Sequence, residues 1–110
     1  MEVIERYGIY WTQFDPAVGN EVQKTRPAVV VNRNALIRAT SLAVVCPLTS
    51  SLHPNWRHRL QVTCDGKQSD IMMDQIRSMS VLRVGTFIGY LSYKDSKQLR
   101  LMLIGLYGTE

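Results

Sequence analysis

Two nearly unbroken apolar stretches constrain the fold of this chain more than any other feature of its sequence. Residues 28–32 and 42–48 consist mainly of Val, Ala and Leu, and each is shorter than an ordinary buried helix. A strand with one exposed face would alternate apolar and polar side chains, and neither stretch does so. The sequence therefore predicts two strands that are buried on both faces of a sheet.

Shorter signals indicate that much of the remaining chain is also strand. Residues 7–14 are rich in aromatic and β-branched side chains, which favour strands. Residues 58–64 alternate apolar and polar side chains, and the Asp-Gly step that follows predicts a hairpin turn into residues 68–73. A further strand is predicted at residues 85–91, whereas residues 34–38 are too short for more than one helical turn. This pattern is antiparallel in style.

The one long helix that the sequence predicts lies near the C-terminal end. Ser92, followed three residues later by Asp95, resembles a capping box, and Gly108 would end the helix. Apolar residues recur between them at helical spacing, namely Leu99, Met102, Leu103 and Leu106. Leu101 and Ile104 widen this surface, so the helix either covers the sheet with one wide face or also meets a partner subunit. The predicted fold class is mainly β with a C-terminal α-helix, in a single domain over residues 1–110.

The length, composition and charge of the chain favour one globular domain over a disordered or membrane-spanning protein. With 110 residues, 45% of them hydrophobic and 20% charged, the chain is typical of one globular domain and not of a disordered segment. Its formal net charge of +4 and its pI near 9.3 mildly favour polyanionic partners. No apolar run approaches the roughly 20 residues of a membrane helix, and the acidic residues Glu2 and Glu5 stand where a signal peptide would be basic and then apolar. We therefore expect a cytoplasmic protein without membrane contact.

The cysteines and histidines do not form a recognisable metal motif. Cys46 and Cys64 lie in strand-like segments, where a free thiol is usually a small buried apolar side chain, and a disulfide is not expected inside a cell. Together with His53 and His58 they lack the close Cys-x-x-Cys or His-x-x-x-His spacing of zinc sites. We expect no metal and no cofactor.

An arginine stands at the start of the first apolar stretch. Arg26 directly precedes Pro27, so a permanent positive charge lies where a buried strand begins. Residues 15–25 before it combine turn formers with polar side chains, which is typical of a mobile flap. The second apolar stretch ends in a Pro-Leu-Thr-Ser-Ser sequence that supplies hydroxyl groups. Together the two strand ends are suited to binding a phosphate, although an isolated arginine would more often form an ion pair, here with Asp74 or Glu21.

Three longer segments carry a pattern in their order and spacing. They are FDPAVGNEVQKTRPAVVVN, VVCPLTSS and DIMMDQIRSMS. This pattern resembles the MazF/PemK family of toxin endoribonucleases, which belong to toxin-antitoxin systems. The resemblance covers most of the chain and implies a small antiparallel SH3-like barrel of the MazF/CcdB type, with a C-terminal helix, that forms a homodimer. It also implies metal-independent cleavage of single-stranded RNA and inhibition by a cognate antitoxin protein.

The resemblance assigns catalytic roles to Arg26, in the Thr-Arg-Pro step, and to Thr49, in the Pro-Leu-Thr step. RNA carries its own nucleophile, the ribose 2′-hydroxyl, so an enzyme can cleave it by aligning that oxygen with the phosphorus and stabilising the developing charge. The expected products are 2′,3′-cyclic phosphate and 5′-hydroxyl ends. Arg26 would bind the nonbridging oxygens and protonate the leaving 5′ oxygen, while Thr49, aided by Ser50, would hold the phosphate. The general base stays open, because arginine is a poor base and the family pattern does not include His53 or His58.

RNA-binding residues are expected on the flap, on a polar loop near Trp56 and in the third family segment. Trp56, flanked by Arg57 and close to Arg59, is suited to stack on an unpaired base or to meet an acidic antitoxin segment. Trp11, in the middle of a strand, is expected in the core. For Gln75, a network that ties the barrel to the flap is favoured over direct catalysis. The residues expected to contact RNA are Asn20, Glu21, Gln23, Lys24, Thr25, Ser50, Trp56, Arg57 and Gln75.

Two other functions are compatible with the same fold. Relatives such as CcdB bind and poison DNA gyrase without chemistry of their own, and that class depends on a C-terminal Trp-Gly-Ile. This chain ends in Gly108, Thr109 and Glu110, which argues against a gyrase-binding protein. The other alternative is a noncatalytic SH3-like module that binds RNA or peptide, in which Arg26 would contribute to affinity only.

Overall fold

The two apolar stretches form neighbouring central strands of a curled antiparallel sheet. The computed structural model describes residues 3–108. In chain order its elements are β1 (Gly8–Gln13), β2 (Thr25–Val30), α1 (Asn34–Thr40), β3 (Leu42–Thr49), β4 (Arg59–Cys64), β5 (Lys67–Met72), β6 (Arg77–Ser80), β7 (Val84–Tyr90) and α2 (Tyr93–Tyr107). The sheet order is β4-β5-β3-β2-β1-β7, and β6 pairs with β3. This architecture confirms the predicted fold class.

β3 joins the two halves of the sheet. One edge of β3 pairs with β2, and Val29 lies opposite Cys46 in that pair. The other edge pairs with two partners in succession, with β6 along the first half of β3 and with β5 at Leu48 and Thr49. Because one strand belongs to both halves, the sheet curls into a half-barrel around it.

Apolar side chains fill both faces of the central strands, as predicted. Neighbouring residues of β2 enter different buried clusters, Val29 on one face and Val30 on the other. α2 contributes the fully buried Leu99 to the first cluster, and α1 contributes Ile37 to the second. The two helices therefore close opposite sides of the sheet.

Two short elements differ from the prediction. The expected single turn after β2 is a helix of seven residues, α1, which the buried Ile37 anchors. It ends where Ser41 adopts a left-handed conformation with φ 56° and donates its N–H to the Ile37 carbonyl at 2.8 Å. β6 was not predicted, because its sequence Arg-Ser-Met-Ser buries only Met79. Both elements depend on packing against β3 or the core more than on local preference.

The turn and cap residues act as the sequence predicts. Asp65 and Gly66 join β4 to β5 with positive φ values of 51° and 75°, the geometry that an Asp-Gly hairpin turn requires. The Ser92 side chain accepts a hydrogen bond from the Asp95 N–H at 3.1 Å, and α2 ends one residue before Gly108. Within residues 3–108, neither helix combines the length and the apolar character that crossing a bilayer demands.

Candidate active site

Arg26 and Thr49 line the same solvent-open cavity, whose volume is about 270 Å³. Arg26 lies near the start of β2 and Thr49 is the last residue of β3. Because β2 and β3 are antiparallel neighbours, the start of one lies beside the end of the other. Ser50, the next residue along the chain, lines the cavity as well. The structure therefore brings together the two groups that the sequence placed on separate strand ends.

The Arg26 guanidinium is held by the backbone and not by a carboxylate. Its Nε donates to the Gln23 carbonyl at 3.2 Å. Glu21 instead accepts a hydrogen bond from the flap backbone at 2.7 Å, and Asp74 lies 3.9 Å from His58. Within residues 3–108, Arg26 forms no ion pair and no protein group accepts from its Nη atoms. Its two outer nitrogens are therefore available to an anion.

The Thr49 hydroxyl is fixed on one side and available on the other. Its Oγ1 accepts a hydrogen bond from the Ser51 N–H at 3.2 Å, a local turn contact that Ser and Thr often make. A hydroxyl that accepts one hydrogen bond still carries a hydrogen to donate. Thr49 therefore both shapes the end of β3 and offers a donor to the cavity.

Other walls of the cavity were not predicted. Trp11 was expected in the core, but its side chain is 46% exposed and lines the cavity, so that prediction is wrong. The reason is the strand alternation, since Tyr10 and Thr12 turn to the buried side of β1 and Trp11 turns away from it. Lys67 and Gln68, at the start of β5, also line the cavity, and no motif distinguished them. A second cation and an aromatic ring thus lie on the walls that Arg26 shares.

Gln75 ties the flap to the barrel. Its Oε1 accepts from the Val22 N–H at 3.4 Å, and its Nε2 donates to the Asn20 carbonyl at 3.5 Å. Gln75 and Glu21 line a second cavity, of about 220 Å³, which shares no lining residue with the Arg26 cavity. The structure thus contains the network favoured for Gln75, and its side chain lines a different cavity from Arg26.

The remaining flap residues are held mainly through their backbone. The Lys24 N–H donates to Asp15 Oδ1 at 2.9 Å, and Arg83 donates to the Asp15 carbonyl at 2.6 Å. Four of the flap residues expected to contact RNA line neither cavity, namely Asn20, Gln23, Lys24 and Thr25. Of these, Gln23 acts on Arg26 through its carbonyl.

Trp56 and Arg57 lie in the loop 50–58, outside the lining of the Arg26 cavity. The Trp56 ring stacks on His53 with centroids 3.8 Å apart, and the Arg59 guanidinium lies 4.9 Å from the Trp56 centroid. A base would stack on Trp56 only by displacing one of these groups or by extending the stack over the imidazole. Arg59 itself pairs with the buried Asp70 at 3.2 Å, and its side chain is 10% exposed.

The thiols are buried, and no metal centre surrounds them. Within residues 3–108, no group of three or more His, Cys, Asp or Glu side chains is placed to hold a metal ion. Burial, with a smaller contribution from the Asp74 carboxylate, raises the pKa of Cys46 to about 12. The thiolate is the nucleophilic form of cysteine, so Cys46 is unsuited to nucleophilic chemistry at neutral pH.

We expect Cys46 in the native protein to resist alkylation by iodoacetamide at pH 8, because its thiol is buried and protonated. The raised pKa also predicts how stability depends on pH. The contribution of the buried, protonated thiol to the free energy of unfolding is fully present below the ordinary thiol pKa of 9.0. It is lost as the pH rises from there toward 12. Urea titrations from pH 7 to pH 11 test this, since Cys46→Ala removes that part of the alkaline decline. Rapid labelling of native Cys46 would contradict the assignment.

Solved structures of MazF toxins share this fold. MazF from Deinococcus radiodurans matches with a TM-score of 0.86 and 23% identity, covering 99% of this chain and 100% of that chain. A MazE-MazF structure from the same organism matches with a TM-score of 0.80, 20% identity and complete coverage of both chains. The Mycobacterium tuberculosis toxin MazF-mt6 matches with a TM-score of 0.74 and 20% identity, over 94% of this chain and 98% of that one. At these identities the likeness establishes the fold alone.

The sequence itself establishes the family. A family model described as PemK-like, MazF-like toxin of type II toxin-antitoxin system matches residues 5–106. This chain therefore belongs to the PemK/MazF toxin family. A curated relative, the Endoribonuclease PemK of Escherichia coli, is 45% identical over 47 residues, which are 43% of this chain and 35% of the relative. The match thus spans a minor part of that relative's length.

Proposed function

We propose that this protein is a cytoplasmic endoribonuclease toxin that cleaves single-stranded RNA without a metal ion. The observation that carries the proposal is the meeting of Arg26 and Thr49 in one open cavity. Membership of the PemK/MazF family and the name of the curated relative, Endoribonuclease PemK, support it. The reaction is attack of the ribose 2′-hydroxyl on the adjacent phosphorus, which gives 2′,3′-cyclic phosphate and 5′-hydroxyl ends.

The free donors of the cavity fit this reaction. The two Nη atoms of Arg26 bind the nonbridging phosphate oxygens, where negative charge grows in the transition state. The Thr49 hydroxyl donates to the same phosphate and fixes its orientation. The leaving 5′ oxygen takes a proton from the Arg26 guanidinium, which regains a proton from water in the open cavity.

The 2′ proton needs an acceptor, and we assign that role to a carboxylate on the cavity wall. Asp65, in the β4–β5 turn, is the one carboxylate among the described residues that line the cavity. His53 and His58 lie outside that lining. A guanidinium that is already protonated cannot accept the 2′ proton, so Asp65 acts as the base.

Two protein partners complete the proposal. α2 exposes Leu101, Ile104 and Tyr107, an apolar surface suited to contact with a second copy of the chain in a homodimer. A MazE-MazF complex is among the solved structures with this fold, and we propose that a cognate antitoxin likewise inhibits this protein. The expectation against a gyrase-binding protein depends in part on Thr109 and Glu110, which lie outside the described residues.

Incubation of the purified protein with a long single-stranded RNA in EDTA tests the function. We expect discrete fragments whose 5′ ends accept phosphate from polynucleotide kinase without prior phosphatase treatment, because the products carry 5′-hydroxyl groups. The same RNA annealed to its complement is the matched control and resists cleavage. Intact single-stranded RNA would contradict the nuclease and leave a gyrase-binding or noncatalytic module.

Replacement of Thr49 by Ala is expected to reduce the rate of cleavage about 10- to 100-fold, because one hydrogen bond to a charged group contributes roughly 1.5–3 kcal/mol. Thr49→Ser keeps the hydroxyl and should retain most of the activity. The measurement is kcat on a short fluorogenic RNA. Equal rates for the Ala and Ser variants would exclude the hydroxyl from the reaction.

A further inference from the structure

A buried carboxylate lies on the strand next to Thr49, at the position directly opposite it. Asp70 is 0% exposed and pairs with Thr49 in the β3–β5 register. Its Oδ2 accepts hydrogen bonds from the His53 N–H at 2.7 Å and from Arg59 Nη1 at 3.2 Å. One carboxylate oxygen thus holds both the loop 50–58 and the first residue of β4.

Arg59 binds the same loop at Ser51 and at Trp56. Its side chain is 10% exposed, and Nη1 also donates to the Ser51 carbonyl at 3.1 Å. Its guanidinium lies 4.9 Å from the centre of the Trp56 ring, and its backbone N–H donates to the Trp56 carbonyl at 3.2 Å. The Asp70–Arg59 pair therefore contacts the loop at Ser51, His53 and Trp56.

The pair is poorly optimised for stability. Asp70 Oδ1 and Arg59 Nε are both buried, and neither has a hydrogen-bond partner among the described residues. Burying charged groups with unsatisfied atoms is costly, and apolar replacements of such pairs are often as stable as the pair itself. What the pair does provide is a fixed geometry for the loop that follows Thr49.

We propose that Asp70 and Arg59 are positioning residues for the Thr49 hydroxyl. Arg59 holds the Ser51 carbonyl and Asp70 holds the His53 N–H, so the backbone between them is fixed. The Ser51 N–H, on the same residue as the held carbonyl, donates to Thr49 Oγ1 at 3.2 Å, so the hydroxyl keeps its own hydrogen for a donor contact in the cavity. The inference rests on the proposed nuclease function and adds to it two residues that do not touch the RNA.

A double-mutant cycle between Asp70→Asn and Thr49→Ala tests the proposal. Asp70→Asn keeps the shape of the side chain but removes its charge, and it is expected to lower kcat about tenfold or more with little change in KM, because small misplacements of a reacting group have large kinetic effects. In the Asp70→Asn background, Thr49→Ala should then cost much less than in the wild type. Asp95→Asn, the same chemical change on α2, is the control and keeps the wild-type rate. Fully additive effects on kcat would overturn the proposal.

A second pair of measurements separates positioning from folding and from the proposed function. The double variant Arg59→Met with Asp70→Leu replaces the ion pair by apolar groups, and we expect a Tm close to that of the wild type with the same loss of kcat. Amide hydrogen exchange of Ser51 and His53 should become faster in Asp70→Asn while the β2 amides stay protected. If the wild type cleaves no RNA, the proposed function fails and the exchange data still decide whether the pair fixes the loop. Unchanged exchange at both amides, or wild-type kcat in the double variant, would overturn the proposal.

Discussion

Replacement of Arg26 by Ala is expected to lower the rate of RNA cleavage by about 10²- to 10³-fold, because it removes the principal charged donor to the transition-state phosphate. Among the residues that the structure describes, none occupies the two outer nitrogens of the Arg26 guanidinium. Its loss leaves Lys67 and the Thr49 hydroxyl on the cavity wall. The measurement is single-turnover cleavage of a short RNA in EDTA.

Two arginine variants sharpen this test. Arg26→Lys keeps the charge but loses the planar fork of donors, so we expect partial activity above that of Arg26→Ala. Arg38→Ala removes an exposed arginine from α1 and should cleave at the wild-type rate, which controls for the loss of one positive charge. The proposed role of Arg26 fails if Arg26→Ala and Arg38→Ala cleave RNA equally fast. A wild-type Tm for Arg26→Ala is expected, since the side chain forms a single hydrogen bond to the flap.

The convergence of Arg26 and Thr49 could be predicted from the sequence because it depends on strand order alone. Once residues 28–32 and 42–48 are taken as antiparallel neighbours, the start of one strand must lie beside the end of the other. The third wall of the cavity could not be predicted in this way. Lys67 belongs to β5, which pairs with β3 at Leu48 and Thr49, and no motif in the sequence indicated that pairing.

Trp11 and Arg59 show why side-chain environments were harder to predict than elements. An aromatic residue in mid-strand is usually buried, but the face of β1 that carries Trp11 borders the cavity. Arginine side chains are usually exposed, and the ion pair with the buried Asp70 accounts for the low exposure of Arg59. For Arg59 the deciding contact comes from another strand, β5, and the local sequence does not indicate it.

Replacement of Leu99 by Ala is the stability change with the largest expected effect. Leu99 is 0% exposed and is the α2 residue at the centre of the cluster that also contains Ile9 and Val29. Truncation of a fully buried leucine removes apolar contacts and leaves a cavity, which costs roughly 2–5 kcal/mol. Because small domains are stable by only about 5–15 kcal/mol, we expect a large fall in the free energy of unfolding, measured by urea denaturation.

A leucine variant at an exposed position is the matched control for this experiment. It tests whether the fall in the free energy of unfolding comes from the burial of Leu99. Leu82→Ala makes the same chemical change at a side chain that is 92% exposed, so the free energy of unfolding should change by no more than about 0.5 kcal/mol. A large effect of Leu99→Ala beside a small effect of Leu82→Ala would mean that docking of α2 on the sheet stabilises the half-barrel, and with it the strand ends that carry Arg26 and Thr49. Equal effects of the two variants would mean that α2 does not cover the core. Cleavage by Leu99→Ala, measured below its unfolding transition, should then stay close to the wild-type rate, because Leu99 lies outside the cavity lining.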